Sequence, residues 1–312
     1  MRAISSASAL PQGVSTAALL ESSAQLAEAL AARDLPASMA GAVQQHYRPL
    51  ARWLAERSAA DGAPLIGLNG AQGTGKSTLA QILCWRLAEA HGLRVAVLSL
   101  DDFYLGHAAR AELARTVHPL LQTRGVPGTH DLPSLQACIG SLRAADAHSR
   151  TRLPAFVKVQ DDLAPVSDWP QFRGRPDLIL LEGWCVGTPP QSGEALRAPC
   201  NELERQADPD GRWREWVNQQ LAGPYAALFG EISALIQLAA PDFETVFAWR
   251  KRQEVGNAAS GGAAGMNDAQ LRHFIAHYER LTRHGLRVLP ATADVRIQLN
   301  HEHGVAAVSY AR

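Results

Sequence analysis

The sequence predicts an α/β fold, a three-layer sandwich around a mostly parallel sheet, with an N-terminal helical segment ahead of it. Three observations carry this. From residue 63 onward, short apolar runs alternate with helix-length amphipathic stretches, the rhythm of strand and crossover helix. The runs are continuous in Val, Ile, Leu and Ala, as strands covered on both faces require. Each is bounded by Gly, Pro or Asp. There is no internal repeat, and 312 residues suit one large domain with an appendage.

Residues 1–60 read as helical. Leu19, Leu20, Leu26 and Leu30 recur at roughly helical spacing and Pro36 ends the run. A second stretch carries Tyr47, Leu50, Trp53 and Leu54, with Pro49 starting or kinking its last helix. No catalytic constellation falls here, so the segment is expected to cap the main domain, residues 61–312. There the strands are Leu65–Leu68, Val95–Leu100, Leu178–Leu181, Ala234–Ala239 and Val295–Leu299. The helix after the first strand shows Leu79, Ile82, Leu83 and Leu87 on one face, and Gly92 closes it. Two stretches break the rhythm. Residues 103–176 form a long insertion between the second and third strands. Residues 255–265 are small and nearly uncharged, and with Gly261-Gly262 they predict a mobile lid or hinge within 250–268.

Composition excludes several classes. Apolar residues are 46% and charged ones 19% of the chain, enough to bury a core and too apolar for disorder. Lys plus Arg equals Asp plus Glu at 30 each, which argues against a general nucleic-acid binder. The cysteines Cys84, Cys138, Cys185 and Cys200 form no C-x-x-C pair and predict reduced thiols. No run approaches membrane-spanning length. The first twenty residues are Ser/Ala-rich but contain one basic residue, Arg2, too few for a transit peptide. A cytoplasmic protein that avoids membranes is expected; protein partners leave no mark.

The motif Gly70-Ala-Gln-Gly73-Thr74-Gly75-Lys76-Ser77 fits G-x-x-x-x-G-K-[ST] without mismatch, after an apolar strand and before an amphipathic helix. Its glycines let successive N–H groups turn inward on a phosphate, and the helix dipole adds positive potential. Lys76 reaches the β- and γ-phosphates, Ser77 ligates magnesium, and Thr78 continues the loop into the helix. The sandwich is therefore of the P-loop NTPase type, with ATP and Mg²⁺ as cofactors. A GTPase would show N-K-x-D, which is missing, and Asp208-Pro-Asp-Gly211 lacks the strand that a D-x-x-G switch needs. A motor ATPase would end its second acidic strand in Asp-Glu, whereas Leu178–Leu181 runs into Glu182-Gly183. A small-molecule kinase remains.

Val95–Leu100 leads into Asp101-Asp102-Phe103-Tyr104. A carboxylate at a strand's carboxyl end faces the ligand crevice of an open α/β sheet, so Asp101 is expected to orient and deprotonate the attacking hydroxyl.

Together the P-loop, Asp101-Asp102-Phe103-Tyr104 and Glu182-Gly183 resemble the kinases grouped with uridine kinase, phosphoribulokinase and pantothenate kinase. His118 to Asp131, Leu181-Glu-Gly-Trp184, Trp249-Arg250-Lys-Arg-Gln253-Glu254 and Phe274 to Arg283 resemble, more narrowly, the D-glycerate 3-kinase type. The likeness covers about residues 60–312. It implies ATP and D-glycerate as substrates and 3-phosphoglycerate as product. It also implies Glu182 in the magnesium shell, Arg250 on the transferring phosphate, and Asp102, Tyr104, Arg124, His130 and Lys158 at the acceptor. Arg124 would clamp a carboxylate bidentately. Asp131 is either a helix cap or a site residue. The family's pattern has an Asp before Lys158, where this chain has Val157, and an Arg after Asp161-Asp162, where it has Leu163. Both departures fall in the acceptor insertion and bear on the acceptor alone.

Other features read as structural. His273 and His277 are expected to be ordinary helix histidines, His301-Glu-His303 a turn, and Glu202 to Glu215 a solvated helix and loop. The tryptophans are too scattered for a base-stacking platform. Two competing readings stay open: a nucleoside- or pantothenate-type kinase on the same scaffold, and a nucleotide-binding regulator without turnover.

Overall fold

The computed structural model describes residues 22–58, 62–259 and 266–311. Its centre is a six-stranded sheet of β1 (Leu65–Gly70), β2 (Val95–Ser99), β3 (Leu178–Gly183), β4 (Ile232–Ala239), β5 (Val295–Leu299) and β6 (Val305–Tyr310). The spatial order is β6-β5-β4-β1-β3-β2. All pairs are parallel except β5–β6, an antiparallel hairpin at one edge. All five sequence-read strands are present; β6 was not anticipated: its short run Val305-Ala-Ala-Val308 is half alanine and makes an edge strand with no buried residue.

β1 and β3 are buried along their whole length, and the pleat sends alternate side chains to opposite layers. Ile66, Leu68, Leu178 and Leu180 join one core with Leu79, Ile82 and Leu83 of the P-loop helix Lys76–His91. Leu65, Ile179 and Leu181 join the other, with Leu135, Ile139 and Leu142 of helix Leu132–Ala144 and with Tyr278 and Leu281 of helix Asp268–Val288. Helix, sheet and helix make the expected three layers.

The N-terminal helices belong to the first core. Leu26, Leu30, Val43, Leu50 and Leu54 are fully buried there, each worth about 1.5–3 kcal/mol on burial. The helix runs without a break from Ala40 through a wide π turn over Val43–Tyr47 to Ser58. Pro49 is therefore an interior proline, and the widened turn just ahead of it accommodates the bond its missing N–H cannot make. Leu19 and Leu20 lie outside the described residues.

The insertion contributes two helices, His107–Thr116 and Leu132–Ala144, and two small antiparallel pairs. One pair, Phe156–Val157 with Asp162–Leu163, raises Lys158 over the sheet's carboxyl edge. Asp131 caps Leu132–Ala144, accepting from the Ser134 amide at 3.0 Å. The expectation that no element covers 255–265 is corrected in part: helix Phe243–Ala259 runs through its first five residues. Gly261 and Gly262 lie outside the described residues.

The solvated reading of Glu202 to Glu215 is corrected in part: Glu202, Arg205, Asp210, Arg212 and Glu215 are exposed, but three other charges are not. Glu204 and Asp208 are fully buried and Arg214 nearly so. Glu204 takes both Arg280 Nε (2.6 Å) and Nη2 (2.5 Å), and Asp208 accepts from Arg214 Nη1 at 2.9 Å. These three buried charges have internal partners, and that of Glu204 stands 76 residues away.

Candidate active site

The carboxyl ends of β1, β2 and β3 meet at one edge of the sheet, because register sets Glu182 beside both Leu68 and Ser99. The P-loop leaves β1 there. Gly73 and Gly75 take left-handed φ of 77° and 88°, conformations that side chains with a Cβ rarely adopt. A Cβ on Gly70 would lie 2.7 Å from the Thr74 hydroxyl. The turn is closed by Thr74 Oγ1 and Lys76 Nζ, both donating to the Ala71 carbonyl (2.8 and 3.2 Å). Gly75 begins the helix without a side-chain cap, so its first amides are left for an anion.

An open cleft of about 700 Å³ runs from this loop to the insertion. Gly73, Gly75, Lys76, Ser77, Thr78, Asp101, Asp102, Tyr104, Arg124, Lys158, Glu182 and Arg250 all line it. Gly70 and Thr74 sit behind the loop and shape it. His130 does not reach the cleft: it is buried, stacked on the far face of Tyr104 at 4.7 Å, with Nδ1 2.5 Å from the Tyr225 hydroxyl. Burial pushes its imidazole down to about 4, against the opposing pull of Asp101. It therefore backs Tyr104 as a neutral ring.

Ser77 Oγ and Ser99 Oγ both donate to Glu182 Oε1, each at 3.0 Å. A hydroxyl and a carboxylate side by side are the hard oxygen donors that magnesium takes when phosphates and water complete its shell. The adjacent carboxyls of Asp101 and Asp102 titrate in opposite directions. For Asp101 burial acts upward, but Lys158, Lys76 and the Tyr104 hydroxyl outweigh it and hold the group at about 2. Tyr104 donates to Oδ1 at 2.7 Å and Lys158 to Oδ2 at 2.8 Å. For Asp102 burial dominates and raises the value, helped by Asp101, although the Phe156 amide donates to it at 3.3 Å. Of the two, Asp101 is the one whose ionised form the surroundings favour.

Arg124 enters from the Pro/Gly-rich loop and is paired with Asp161. Asp161 is held in turn by the fully buried Arg110, whose Nη2 reaches its carboxylate and its carbonyl at 2.8 Å. Arg250 is paired with Glu254 and bonds Gln253 at 2.8 Å.

Sequence reasoning missed Gln72, Ser99, Trp184, Phe274 and Tyr278 on the cleft wall. Trp184 Nε1 donates to Gly125 O (2.9 Å) and the Tyr278 hydroxyl to Arg124 O (3.0 Å), fixing the loop that carries Arg124. Trp184, Phe274 and Tyr278 stood inside stretches that resembled the family; nothing in their spacing assigned them a role. Arg110 left no signal at all.

A P-loop over a parallel sheet, an ionised carboxylate facing it and a basic acceptor wall define a P-loop phosphotransferase. No family model matches the chain. It is 32% identical over 241 residues to an uncharacterized kinase of Schizosaccharomyces pombe, covering 73% of this chain and 83% of that one. It is 31% identical over 222 residues to the chloroplastic D-glycerate 3-kinase of Arabidopsis thaliana, 69% of this chain and 46% of that one. Among solved structures, D-glycerate 3-kinase from Cryptococcus neoformans superposes with a TM-score of 0.70 at 30% identity, over 86% of this chain and 98% of that chain. The chain belongs to the family of P-loop kinases that includes D-glycerate 3-kinase. It is a phosphotransferase with a hydroxyl acceptor.

Proposed function

We propose that this kinase transfers the γ-phosphate of ATP to a hydroxyl of a small carboxylate, D-glycerate, giving 3-phosphoglycerate. The observation that carries the reading is the ionised Asp101 carboxylate paired with Lys158, in a cleft that a second cation of the insertion, Arg124, also lines. A carboxylate substrate offers both cations a partner and leaves Asp101 free for the hydroxyl.

In this reading the P-loop amides and Lys76 hold the phosphates. Ser77 and Glu182 hold magnesium, which when bound neutralises the phosphate charge. Asp101 accepts the acceptor's hydroxyl proton as its oxygen bonds to the γ-phosphorus and the bridge to ADP breaks. Arg250 moves onto the transferring phosphate, with 250–268 as a lid that excludes water. Arg124 and Lys158 take the substrate carboxylate, with Asp102 and Tyr104 shaping its seat. Residues 103–176 form the acceptor side and 61–312 the kinase domain, with the helices of residues 22–58 packed on it. Neither a membrane nor nucleic acid is involved; among the described residues no helix is long and apolar enough to cross a membrane.

Tyr104, Trp184, Phe274 and Tyr278 also line the cleft. They favour, as the second reading, an acceptor with a longer apolar part, of the pantothenate kind. ADP release from ATP and magnesium over D-glycerate, L-glycerate, pantothenate, uridine and ribulose 5-phosphate separates the two, with Lys76→Ala as control. Turnover on D-glycerate alone supports the first reading, turnover on pantothenate the second, and nucleotide binding without turnover a regulator.

A further inference from the structure

The turn between β5 and β6 is tied into the nucleotide site. The Asn300 side chain organises it, accepting from the amides of Glu302 (3.0 Å) and Gly304 (2.7 Å). His301 fastens it to helix Phe243–Ala259: its Nδ1 lies 2.8 Å from the Thr245 hydroxyl, and its carbonyl accepts from Trp249 Nε1 at 3.0 Å. The turn so held delivers His303 to the P-loop. His303 Nε2 lies 2.6 Å from the Gly73 carbonyl oxygen, and its ring stacks on Trp249 at 3.8 Å. His303 adopts this pose with a left-handed φ of 68°, which is costly for a residue with a Cβ and persists only where contacts compensate. The turn's own bond, His303 N–H to the Asn300 carbonyl at 3.2 Å, holds the backbone, and the ring's two contacts both belong to the P-loop's surroundings. A carbonyl only accepts, so Nε2 carries the proton, and it does so in the neutral and the protonated ring alike.

Gly73 is the apex of the loop, and Trp249 Cβ would stand 3.3 Å from any Cβ placed there. The Gly73–Thr74 peptide is held at both ends, its oxygen by His303 and its N–H by the Ala71 carbonyl at 3.3 Å. We propose that His303 is a positioning residue for nucleotide binding, fixing the P-loop in its phosphate-accepting shape and joining it to the helix that carries Arg250. This rests on the kinase reading above. Preorganised amides bind an anion without having to reorder first.

Two variants separate the hydrogen bond from the stack. His303→Phe keeps a ring on Trp249 and loses the donor; His303→Gln keeps an amide N–H near the place of Nε2 and loses the ring. Calorimetric titration with MgATP, and steady-state kinetics beside it, are expected to show His303→Phe weakening nucleotide binding about three- to tenfold. Its kcat and acceptor KM are expected to stay within about twofold, and His303→Gln to stay near wild type. Unchanged ATP affinity in His303→Phe, equal losses in both variants, or lower kcat and melting temperature at constant ATP affinity would overturn the inference. Wild-type protein that binds no MgATP would overturn the kinase reading and this inference with it.

Discussion

Lys158 Nζ lies 2.8 Å from Asp101 Oδ2, a contact that spans 57 residues of sequence and joins the insertion to the carboxyl end of β2. The insertion and the carboxyl end of β2 are thus electrostatically coupled. In the proposed reading, the substrate carboxylate would take Lys158 as its partner and so release Asp101 toward the hydroxyl.

Asp101→Asn removes the base while conserving size and most hydrogen bonds. Turnover is expected to fall on the order of 10²–10⁴-fold, with the KM for ATP little changed, since Lys76 and the P-loop amides are untouched. A loss of ATP affinity matching the loss of kcat would place Asp101 in nucleotide binding instead.

Lys158→Met tests the coupling by pH. Lys158 is the main influence that lowers Asp101 to about 2, against burial. Wild-type Asp101 is therefore ionised throughout the working range. In the variant the acid limb of kcat/KM is expected to move up by about one to two pH units, and the acceptor KM to rise. The depressed folded value also means that Asp101 stabilises the fold fully above its unfolded pKa and loses that contribution only as pH falls toward 2. An acid limb that stays put would separate Lys158 from the base.

Asp161→Asn weakens the hold on Arg124 from behind. Arg110 keeps its carbonyl partners Leu105 (2.9 Å) and Gln122 (2.7 Å) but loses its carboxylate, and Asp161 is one-third exposed. A stability loss of about 1–3 kcal/mol in urea titrations is expected, with a higher acceptor KM and an unchanged ATP KM. Equal effects on both substrates would mean that the change acts on the fold alone.

Arg280→Met leaves the fully buried Glu204 without its counter-ion. Denaturant titration is expected to show a loss of about 3–5 kcal/mol. Burial works to raise the Glu204 value, but the Arg280 bond and the Cys200 amide outweigh it and hold it below the usual carboxylate range. The pair's stabilisation is present at neutral pH and is lost as pH falls through that depressed value.

What the sequence made legible follows from range. The P-loop is a local device, eight residues whose spacing is its mechanism, and the strand before it and the helix after it could be read from hydrophobic runs and the closing Gly92. Asp101 and Glu182 were legible because strand ends in a parallel sheet share one edge. The Arg110–Asp161–Arg124 chain and the Glu204–Arg280 pair were not, because a charged residue that will be buried looks like any surface charge until its distant partner is known. His130 misled for the opposite reason: its neighbours in sequence reach the cleft, while the bridge between Tyr104 and His130 turns its ring behind Tyr104. His303 read as a turn, and a turn it is; only the fold brings Gly73 to it, 230 residues away.

The most direct measurement is phosphorus NMR of the product formed from D-glycerate, ATP and magnesium by the purified protein, with Lys76→Ala beside it. A phosphomonoester on C3 of glycerate, stoichiometric with ADP and missing with Lys76→Ala, is the result expected. ADP and inorganic phosphate with no phosphomonoester, or no ADP at all with MgATP bound, would contradict the glycerate assignment.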